Sequence, residues 1–232
     1  MALSLTDMSL EERFAALDDD KARFVSKVYT GLTLSLVLAA ACCGVGLAWF
    51  SKMAPADMVA TWRMLWWIEL AIILVAVFAR MQGTLGWILL TAFVAITGIT
   101  LAPVLLIYEK LAGASTIAVA LGFTAAIFLT LTAYVRYSGK DFSYLGGFLW
   151  VGTIALILTG IGLLIWPHAN VSYWRACIGA LIFCGWILFD TSAVTRQYYR
   201  DNNVPGAILN LYVDILNLFL FILQILGGRR RD

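Results

Sequence analysis

Charged residues are scarce in this chain of 232 residues. Asp, Glu, Lys and Arg together make up 13% of it, whereas soluble domains usually contain about 25%. Hydrophobic residues reach 62%, well above the usual value of roughly 45–50%. This composition excludes an ordinary soluble domain and indicates an integral membrane protein whose main partner is the lipid bilayer. The formal net charge of +2 predicts no nucleic-acid partner.

The groups that many membrane cofactors and active sites require are also missing. His168 is the one histidine, and alone it supplies neither the axial ligands of a haem nor a metal site. No lysine lies in the middle of an apolar run, where a retinal Schiff base needs one, and neither HExxH nor GxSxG occurs. We therefore expect no enzymatic activity and no tightly bound cofactor.

Long apolar runs, by contrast, follow one another through most of the chain. A helix that crosses the ~30 Å hydrocarbon layer needs roughly 20 apolar residues, and these runs do not alternate with the period of two that strands require. The predicted fold class is all-α, a polytopic membrane protein with seven transmembrane helices in one domain. The predicted spans are 28–50, 63–80, 84–108, 114–136, 143–166, 173–195 and 206–227.

Polar sequence flanks this seven-helix domain, which we place at 24–228. Residues 1–23 are a polar leader that is either a short surface helix, given the capping-box spacing of Ser9 and Glu12, or disordered. Lys and Arg are more frequent at the segment ends on the amino-terminal side, which favours a cytoplasmic amino terminus. With seven spans the basic tail 229–232 would lie on the opposite side, so either the tail is tolerated there or the last segment enters and returns without crossing.

Three acidic residues interrupt the apolar runs at depth, where an Asp costs about 2.5–3.5 kcal/mol to insert. They are Glu69 in the second segment, Asp190 in the sixth and Asp214 in the seventh. If the last two helices are antiparallel neighbours, Asp190 and Asp214, called the Asp pair below, approach a common depth. Two such carboxyls are predicted to share a proton and titrate together, so the pair could sense pH or bind a cation such as Ca²⁺. Alternatively, each aspartate only hydrogen-bonds a neighbouring helix.

A polar stripe runs along the last segment. Asn210, Asp214, Asn217 and Gln224 fall within about 80° of arc at 100° per residue, and the rest of the segment is apolar apart from Tyr212. Because polar side chains avoid lipid, the stripe must face protein or water. The seventh helix is therefore predicted to be central, wrapped by the other six.

The second segment offers a cation for the Asp pair. Glu69 and Arg80 are eleven residues apart, which places them on one helix face about 16 Å apart. Arg80 either extends to the membrane interface, as an Arg at a helix end usually does, or turns inward towards the pair. An intramembrane aspartyl protease would also use two helix aspartates, but the glycines that precede its second aspartate are missing before Asp214.

Four motifs in the same order resemble the Bax inhibitor (transmembrane Bax-inhibitor-motif) family, in its bacterial form, from about residue 24 to 228. The most specific is ILNLYVDILNLFLFILQILG, residues 208–227, which is similar to the family's closing LYLDxINLF with Val213 in place of a leucine. ILFDTSAV resembles the family's YDTQ, GKDFSYLGGFL its loop before helix five, and GITLAPV, residues 98–104, its third-helix turn.

The resemblance implies a seven-helix fold with a central last helix and a pH-dependent Ca²⁺ leak channel, located in bacteria in the inner (plasma) membrane. It implies that Asp190 and Asp214 are the pH sensor and the gate, and that Arg80 binds them in the closed state; as paired carboxylates they are also predicted to be Ca²⁺ ligands. It places Glu69 on the ion pathway, to which the polar stripe adds Asn210 and Asn217.

Two departures from the family pattern lie beside the first aspartate. Phe189 and Ser192 replace a tyrosine and a glutamine, so local hydrogen bonding is expected to be weaker and the pH set-point or the conduction itself to differ. The rival function is a non-conducting regulator that binds a membrane protease or another membrane protein. It would dock through small-residue faces such as Gly44 with Gly46, or Gly146 with Gly147.

Overall fold

The computed structural model describes residues 10–78, 81, 83–166, 168–194, 196, 199 and 201–228. Within these ranges the chain forms seven α-helices, one 3-10 turn (Ser143–Leu145) and no strand, which confirms the all-α fold class. Each α-helix is long and apolar enough to cross a membrane. The helices are α1 (Leu10–Phe50), α2 (Pro55–Phe78), α3 (Gly83–Ala112), α4 (Ala114–Ser138), α5 (Gly146–Ile165), α6 (Ala169–Ala193) and α7 (Val204–Gly228).

Two helices begin well before their predicted membrane spans. α1 is one helix of 41 residues, so residues 10–23 of the predicted leader form its first turns and continue directly into the first span. α2 begins at Pro55, and proline fits the first helical turn because the amide it lacks has no intrahelical partner there. Hydropathy marks where a segment becomes apolar, whereas polar residues such as those of 10–23 can still continue a helix.

α7 is the central helix, as predicted. In its most apolar window 61% of the residues are buried, compared with 0% in α2 and 17% in α5. Its main contacts are with four helices, α1, α3, α4 and α6, rather than with all six; α2 packs mainly on α3, and α5 mainly on α6. α7 is an unbroken helix of 25 residues, about 37 Å long, so it fits a full crossing and not an entry and return.

Two apolar cores pack around the two halves of α7. The first half packs with α1 and α3 through fully buried residues such as Val28, Val94 and Ile208, and the second half packs with α4 and α6 through residues such as Ile187 and Leu218. The outer surface carries eight of the nine tryptophans. Exposed aromatic and aliphatic side chains are the expected contacts with lipid.

Close backbone approach holds α1 against α3. A Cβ atom on Gly98 would lie 2.5 Å from the carbonyl oxygen of Ala39, so only glycine permits this distance between the two helices. Small residues at such a contact let dispersion forces act between backbones, which is the main source of helix association where lipid is as apolar as the side chains.

Candidate functional site: two polar clusters in the helix bundle

The Asp pair is formed where α6 packs against α7. The carboxyl groups of Asp190 and Asp214 hydrogen-bond one another. Both residues are almost completely buried, with 3% and 4% of their surface exposed. A hydrogen bond between two carboxyls needs at least one proton, since an ionised carboxylate has no hydrogen to donate. The structure therefore brings together the two aspartates that the sequence predicts to be a pair.

Buried apolar side chains lie one helical turn from each member of the Asp pair. Ile187 lies one turn before Asp190, and Leu211 and Leu218 lie one turn either side of Asp214; all three are fully buried. The oxygen Oδ2 of Asp214 is also buried and makes no hydrogen bond within the described part of the chain. Such an unsatisfied atom is costly in an apolar interior, and it is the kind of feature that marks a functional position or a bound water.

Ser192 connects the end of α6 to the loop before α5. Its hydroxyl donates to the carbonyl oxygen of Phe189 (2.8 Å) and accepts hydrogen bonds from Nη2 of Arg196 (2.9 Å) and the backbone N–H of Phe142 (3.4 Å). Arg196 also forms a salt bridge with Asp141 in that loop. The Ser192 hydroxyl thus bonds its own helix, Arg196 and the loop, and the weaker hydrogen bonding expected beside the Asp pair stays a prediction.

Phe189, the other departure from the family pattern, packs outward from α6. Its ring meets Trp186 edge-on at 5.4 Å between centroids and lies against Gly146 at the start of α5. The side chain therefore contributes to the α5–α6 contact and adds no polar group beside the Asp pair.

A second set of polar side chains, called the Glu69 cluster below, connects α2, α3 and α7. The hydroxyl of Thr100 donates to Oε2 of Glu69 at 2.8 Å, and the indole N–H of Trp62 donates to the backbone oxygen of Thr100 at 3.0 Å. One turn away, the hydroxyls of Thr97 and Tyr212 are 2.6 Å apart. The Thr97 hydroxyl also donates to the backbone oxygen of Phe93 at 2.9 Å. Because its one hydrogen is used there, Thr97 accepts the hydrogen bond from the hydroxyl of Tyr212.

A cavity of about 330 Å³ opens beside the Glu69 cluster, between α2, α3 and α7. Glu69, Thr97, Thr100 and Asn217 supply its polar groups, and the remaining walls are aromatic and aliphatic. Asn217 lies three residues after Asp214 on α7, but neither member of the Asp pair lines this cavity. Glu69 thus shares a cavity with one residue of the polar stripe but not with the Asp pair.

The other predicted site residues lie elsewhere. Asn210 is exposed near the start of α7 and does not line the cavity. Gln224, near the other end of α7, donates to the hydroxyl of Ser172 on α6 at 2.6 Å. Glu69 and Asn217 therefore share the cavity whereas Asn210 does not line it, and an ion pathway through these residues stays a prediction. Arg80 lies outside the described residues, so its contact with the Asp pair stays a prediction.

A resident metal ion would need more ligands than the Asp pair supplies. Ca²⁺ takes six to eight oxygen ligands, and within the described ranges no group of three or more His, Cys, Asp or Glu side chains could hold a metal. The two carboxyls suit transient contact with a cation that keeps most of its water.

Thr97, Thr100 and Tyr212 were not among the residues predicted from sequence. In the sequence, Tyr212 is notable only as a polar residue outside the polar stripe of an otherwise apolar segment. The two threonines are spaced i, i+3 in the third span, and this spacing on one face opposite a buried glutamate is the signal that could have identified them.

The comparison with known protein families decides the classification. The family model described as "Inhibitor of apoptosis-promoting Bax1" matches residues 21–231, which is nearly the whole chain. The chain belongs to the Bax inhibitor family. This family membership confirms the resemblance seen in the four sequence motifs, and the seven-helix fold agrees with it.

Relatives of this Bax inhibitor family protein occur in a yeast, viruses and bacteria. Bax inhibitor 1 of Schizosaccharomyces pombe is 31% identical over 210 residues, covering 88% of this chain and 76% of that protein. The Golgi anti-apoptotic protein of Vaccinia virus (strain Lister) is 32% identical over 208 residues, covering 88% and 84%. An uncharacterized membrane protein of Vibrio cholerae is 39% identical over 137 residues, covering 58% of this chain and 60% of that protein.

Proposed function

We propose that this integral membrane protein is a pH-sensitive cation leak channel, with Ca²⁺ as the transported ion, and that the protonation state of the Asp pair gates it. The observation that carries the proposal is the hydrogen-bonded contact of two buried carboxyls, Asp190 and Asp214. Two acidic groups in an apolar site interact strongly, so their proton occupancy is coupled and responds to pH as one unit. A change in that occupancy alters the force between α6 and α7.

The Glu69 cluster supports a cation pathway separate from the gate. Glu69 is the acidic group of a cavity that also exposes threonine hydroxyls and Asn217, which are the oxygen ligands that hard cations prefer. Intramembrane acidic residues that face a cavity commonly mark ion pathways. In the proposed closed state the Asp pair does not line this cavity, and Arg80 contributes a positive charge to the pair.

The proposed setting is the inner membrane of a bacterium, with the amino terminus in the cytoplasm. Bacterial relatives such as the Vibrio cholerae protein support a bacterial membrane, and the larger number of Lys and Arg residues on the amino-terminal side supports the orientation. Labelling of Lys21 and of Lys52 by an impermeant reagent in intact cells and in inverted vesicles tests that orientation.

Ion flux through the purified protein tests the proposed function. The full chain is reconstituted in liposomes and Ca²⁺ flux is followed at several pH values, for the unchanged chain and for Asp190→Asn and Asp214→Asn. We expect a pH-dependent flux that loses its pH dependence in either variant. Asp57→Asn, which changes an exposed aspartate in the first turn of α2, is the matched control. Unchanged flux and pH dependence in both pair variants would refute the mechanism.

A non-conducting regulator remains the second candidate, favoured by the name of the viral relative, a Golgi anti-apoptotic protein. The docking faces proposed for it are only partly free. A Cβ on Gly46 would meet Ala102 at 2.9 Å and one on Gly146 would meet Phe189 at 3.0 Å, whereas Gly44 and Gly147 have nothing within 4 Å. Silent liposomes together with recovery of a stoichiometric membrane partner, lost on Gly44→Leu or Gly147→Leu, would favour the regulator.

A further inference from the structure

The cavity of about 330 Å³ between α2, α3 and α7 combines one carboxylate with aromatic rings. Trp62 and Trp66 on α2 and Phe93 on α3 line it together with Glu69. Among the described residues that line the cavity, Glu69 alone carries a formal charge, and no Lys or Arg is there to neutralise it. The cavity is therefore negatively charged, and three aromatic rings form part of its wall.

The cavity lies near the middle of the helices that form it, which limits the kind of occupant. Glu69, Thr100 and Asn217, three of its polar residues, are each near the midpoint of their helix. A lipid headgroup stays at the membrane surface and does not reach this depth. Trp62 and Trp66 line the cavity and are also exposed on the outer surface of the bundle, so the cavity opens towards the lipid. A small amphipathic molecule dissolved in the membrane has access to it.

The carboxylate of Glu69 is only partly satisfied by the protein. Its Oε2 accepts the hydrogen bond from Thr100 at 2.8 Å, whereas Oε1 accepts none within the described part of the chain. The residue is half-buried rather than enclosed, so a ligand in the cavity can reach it. An acidic side chain at this depth is costly unless a positive charge or further hydrogen bonds stabilise it. The unbonded oxygen therefore favours a ligand that is positively charged.

The walls of the cavity favour an organic cation over a tightly bound metal ion. A hard cation such as Ca²⁺ exchanges its water for six to eight oxygen ligands, and carbon walls provide none. An alkylammonium ion instead spreads its charge over methyl or methylene groups, which pack against apolar surface. The faces of Trp and Phe rings attract such a cation through their quadrupole. Trp62, Trp66 and Phe93 supply rings of this kind, and the hydrogen bond from Trp62 to the backbone oxygen of Thr100 (3.0 Å) fixes the position of one of them.

We propose that this cavity binds a small organic cation, a tertiary or quaternary ammonium compound that carries an apolar group. Glu69 provides the opposite charge, Trp66 and Phe93 contact the alkyl groups beside the nitrogen, and the aliphatic part of the wall contacts the apolar group. The inference goes beyond the proposed ion channel, because binding of the cation requires the cavity and not conduction.

Calorimetry tests this binding with two probes that have the same shape and different charge. The probes are benzyltrimethylammonium and neopentylbenzene, in which a carbon atom replaces the positive nitrogen. The purified full chain is titrated in a neutral detergent, and titration of protein-free micelles corrects for partition into the detergent. The variants are Glu69→Gln, Glu69→Asp, Trp66→Phe and Trp66→Leu. Trp67→Leu and Glu109→Gln are the matched controls, because both side chains are exposed and neither lines the cavity.

The unchanged chain should bind the cation saturably and more tightly than the neutral probe. Glu69→Gln should weaken binding of the cation about tenfold and Glu69→Asp much less, because Gln keeps the shape of the side chain and Asp keeps its charge. Trp66→Leu should weaken it roughly 2–5-fold and Trp66→Phe less, which is the order of ring strength in cation–π interactions. Glu69→Gln should change binding of the neutral probe little, and the control variants should bind both probes as the unchanged chain does.

Equal affinity for the two probes, or no saturable binding of the cation, would overturn the proposal. Equal losses in Trp66→Leu and Trp67→Leu would also overturn it, since they would show contact with the aromatic outer surface in general. Melting curves identify a variant whose fold is lost, and Glu69→Gln, which removes only a charge, then decides the result. If the chain binds the cation and passes no Ca²⁺, the proposed channel fails and the binding site stands. If it passes Ca²⁺ and does not bind the cation, the channel stands and the binding site fails.

Discussion

The two polar clusters around α7 use intramembrane carboxyl groups in opposite ways. In the Asp pair, two acids bind each other among fully buried apolar side chains. In the Glu69 cluster, a single half-buried acid accepts a hydrogen bond from a threonine hydroxyl and lines a cavity. On α7, Tyr212 of the Glu69 cluster lies on the opposite side of the helix from Asp214, whereas Asn217, which lines the cavity, belongs to the same polar stripe as Asp214.

This difference predicts different roles for the two clusters. A buried pair that shares a proton responds to proton occupancy and offers a cation no access in this state. A carboxyl in a cavity with hydroxyl neighbours keeps access to water and can attract a cation. We therefore expect substitutions in the Asp pair to change the response to pH, and substitutions in the Glu69 cluster to change the amount of ion that passes.

The largest effect is expected from the Asp pair treated as a unit. Each of Asp190→Asn and Asp214→Asn should remove the pH-dependent part of the flux, and the double variant should remove no more than either one, because one shared proton needs both partners. Proteoliposome flux across a pH series measures this. Additive losses in the double variant would show two independent sites and remove the distinction between the clusters.

Glu69→Gln should have the next largest effect. Removing the charge from the cavity should reduce Ca²⁺ flux several-fold because less cation is attracted, while the shape of the pH dependence stays as in the unchanged chain. Glu109→Gln, at an exposed position near the end of α3, is the matched control and should leave flux unchanged. A shift of the pH dependence by Glu69→Gln would indicate that both clusters belong to one sensor.

Thr100→Val should have a smaller effect that depends on Glu69. It removes the hydroxyl that orients the carboxylate but keeps the backbone oxygen that Trp62 binds. We expect a moderate loss of flux in the unchanged background and little further loss in the Glu69→Gln background, since the hydroxyl acts through the carboxylate. The four chains of this double-mutant cycle are compared in the same flux assay, and equal losses in both backgrounds would contradict the prediction.

The smallest effect is expected from Tyr212→Phe, which removes the hydrogen bond to Thr97 within the core. Side-chain hydrogen bonds between membrane helices contribute about 0.6 kcal/mol on average, so the melting temperature should fall by only about 1–3 °C. Tyr137→Phe, at a residue with 90% exposure, should leave it unchanged. A loss of pH dependence in Tyr212→Phe would place this tyrosine with the Asp pair instead.

The fold could be predicted from the sequence because it depends mainly on the length of the apolar runs and on the polar residues that separate them. A helix in lipid must satisfy all its backbone groups internally, so seven apolar runs of sufficient length imply seven helices. The central position of α7 followed from Asp214 and its polar neighbours. The start of α1 at Leu10 and of α2 at Pro55 did not, because hydropathy reports where lipid contact begins and not where helical hydrogen bonding begins.

The candidate site was predictable only in part. Asp190 and Asp214 could be paired because charge at depth is rare and two antiparallel neighbours bring such residues to one level. The polar stripe predicted that α7 faces protein, but its angular position could not show which neighbour each residue meets: Asn217 lines the cavity and Gln224 bonds Ser172. Thr97 and Thr100 carry no charge, and threonine is common in membrane helices, so their partners emerged only from the packing of α3 against α2 and α7.

α2 is the least buried of the seven helices, with no buried residue in its most apolar window. In the described residues, the side-chain hydrogen bonds that join it to α3, from Trp62 and to Glu69, both end on Thr100. An ion that binds the Glu69 oxygens would compete with the Thr100 hydroxyl for them. Of these two hydrogen bonds between α2 and α3, the one from Trp62 would then remain. Ion binding in the cavity would then also loosen α2, which forms its outer wall, and the entrance to the cavity would widen as the ion binds.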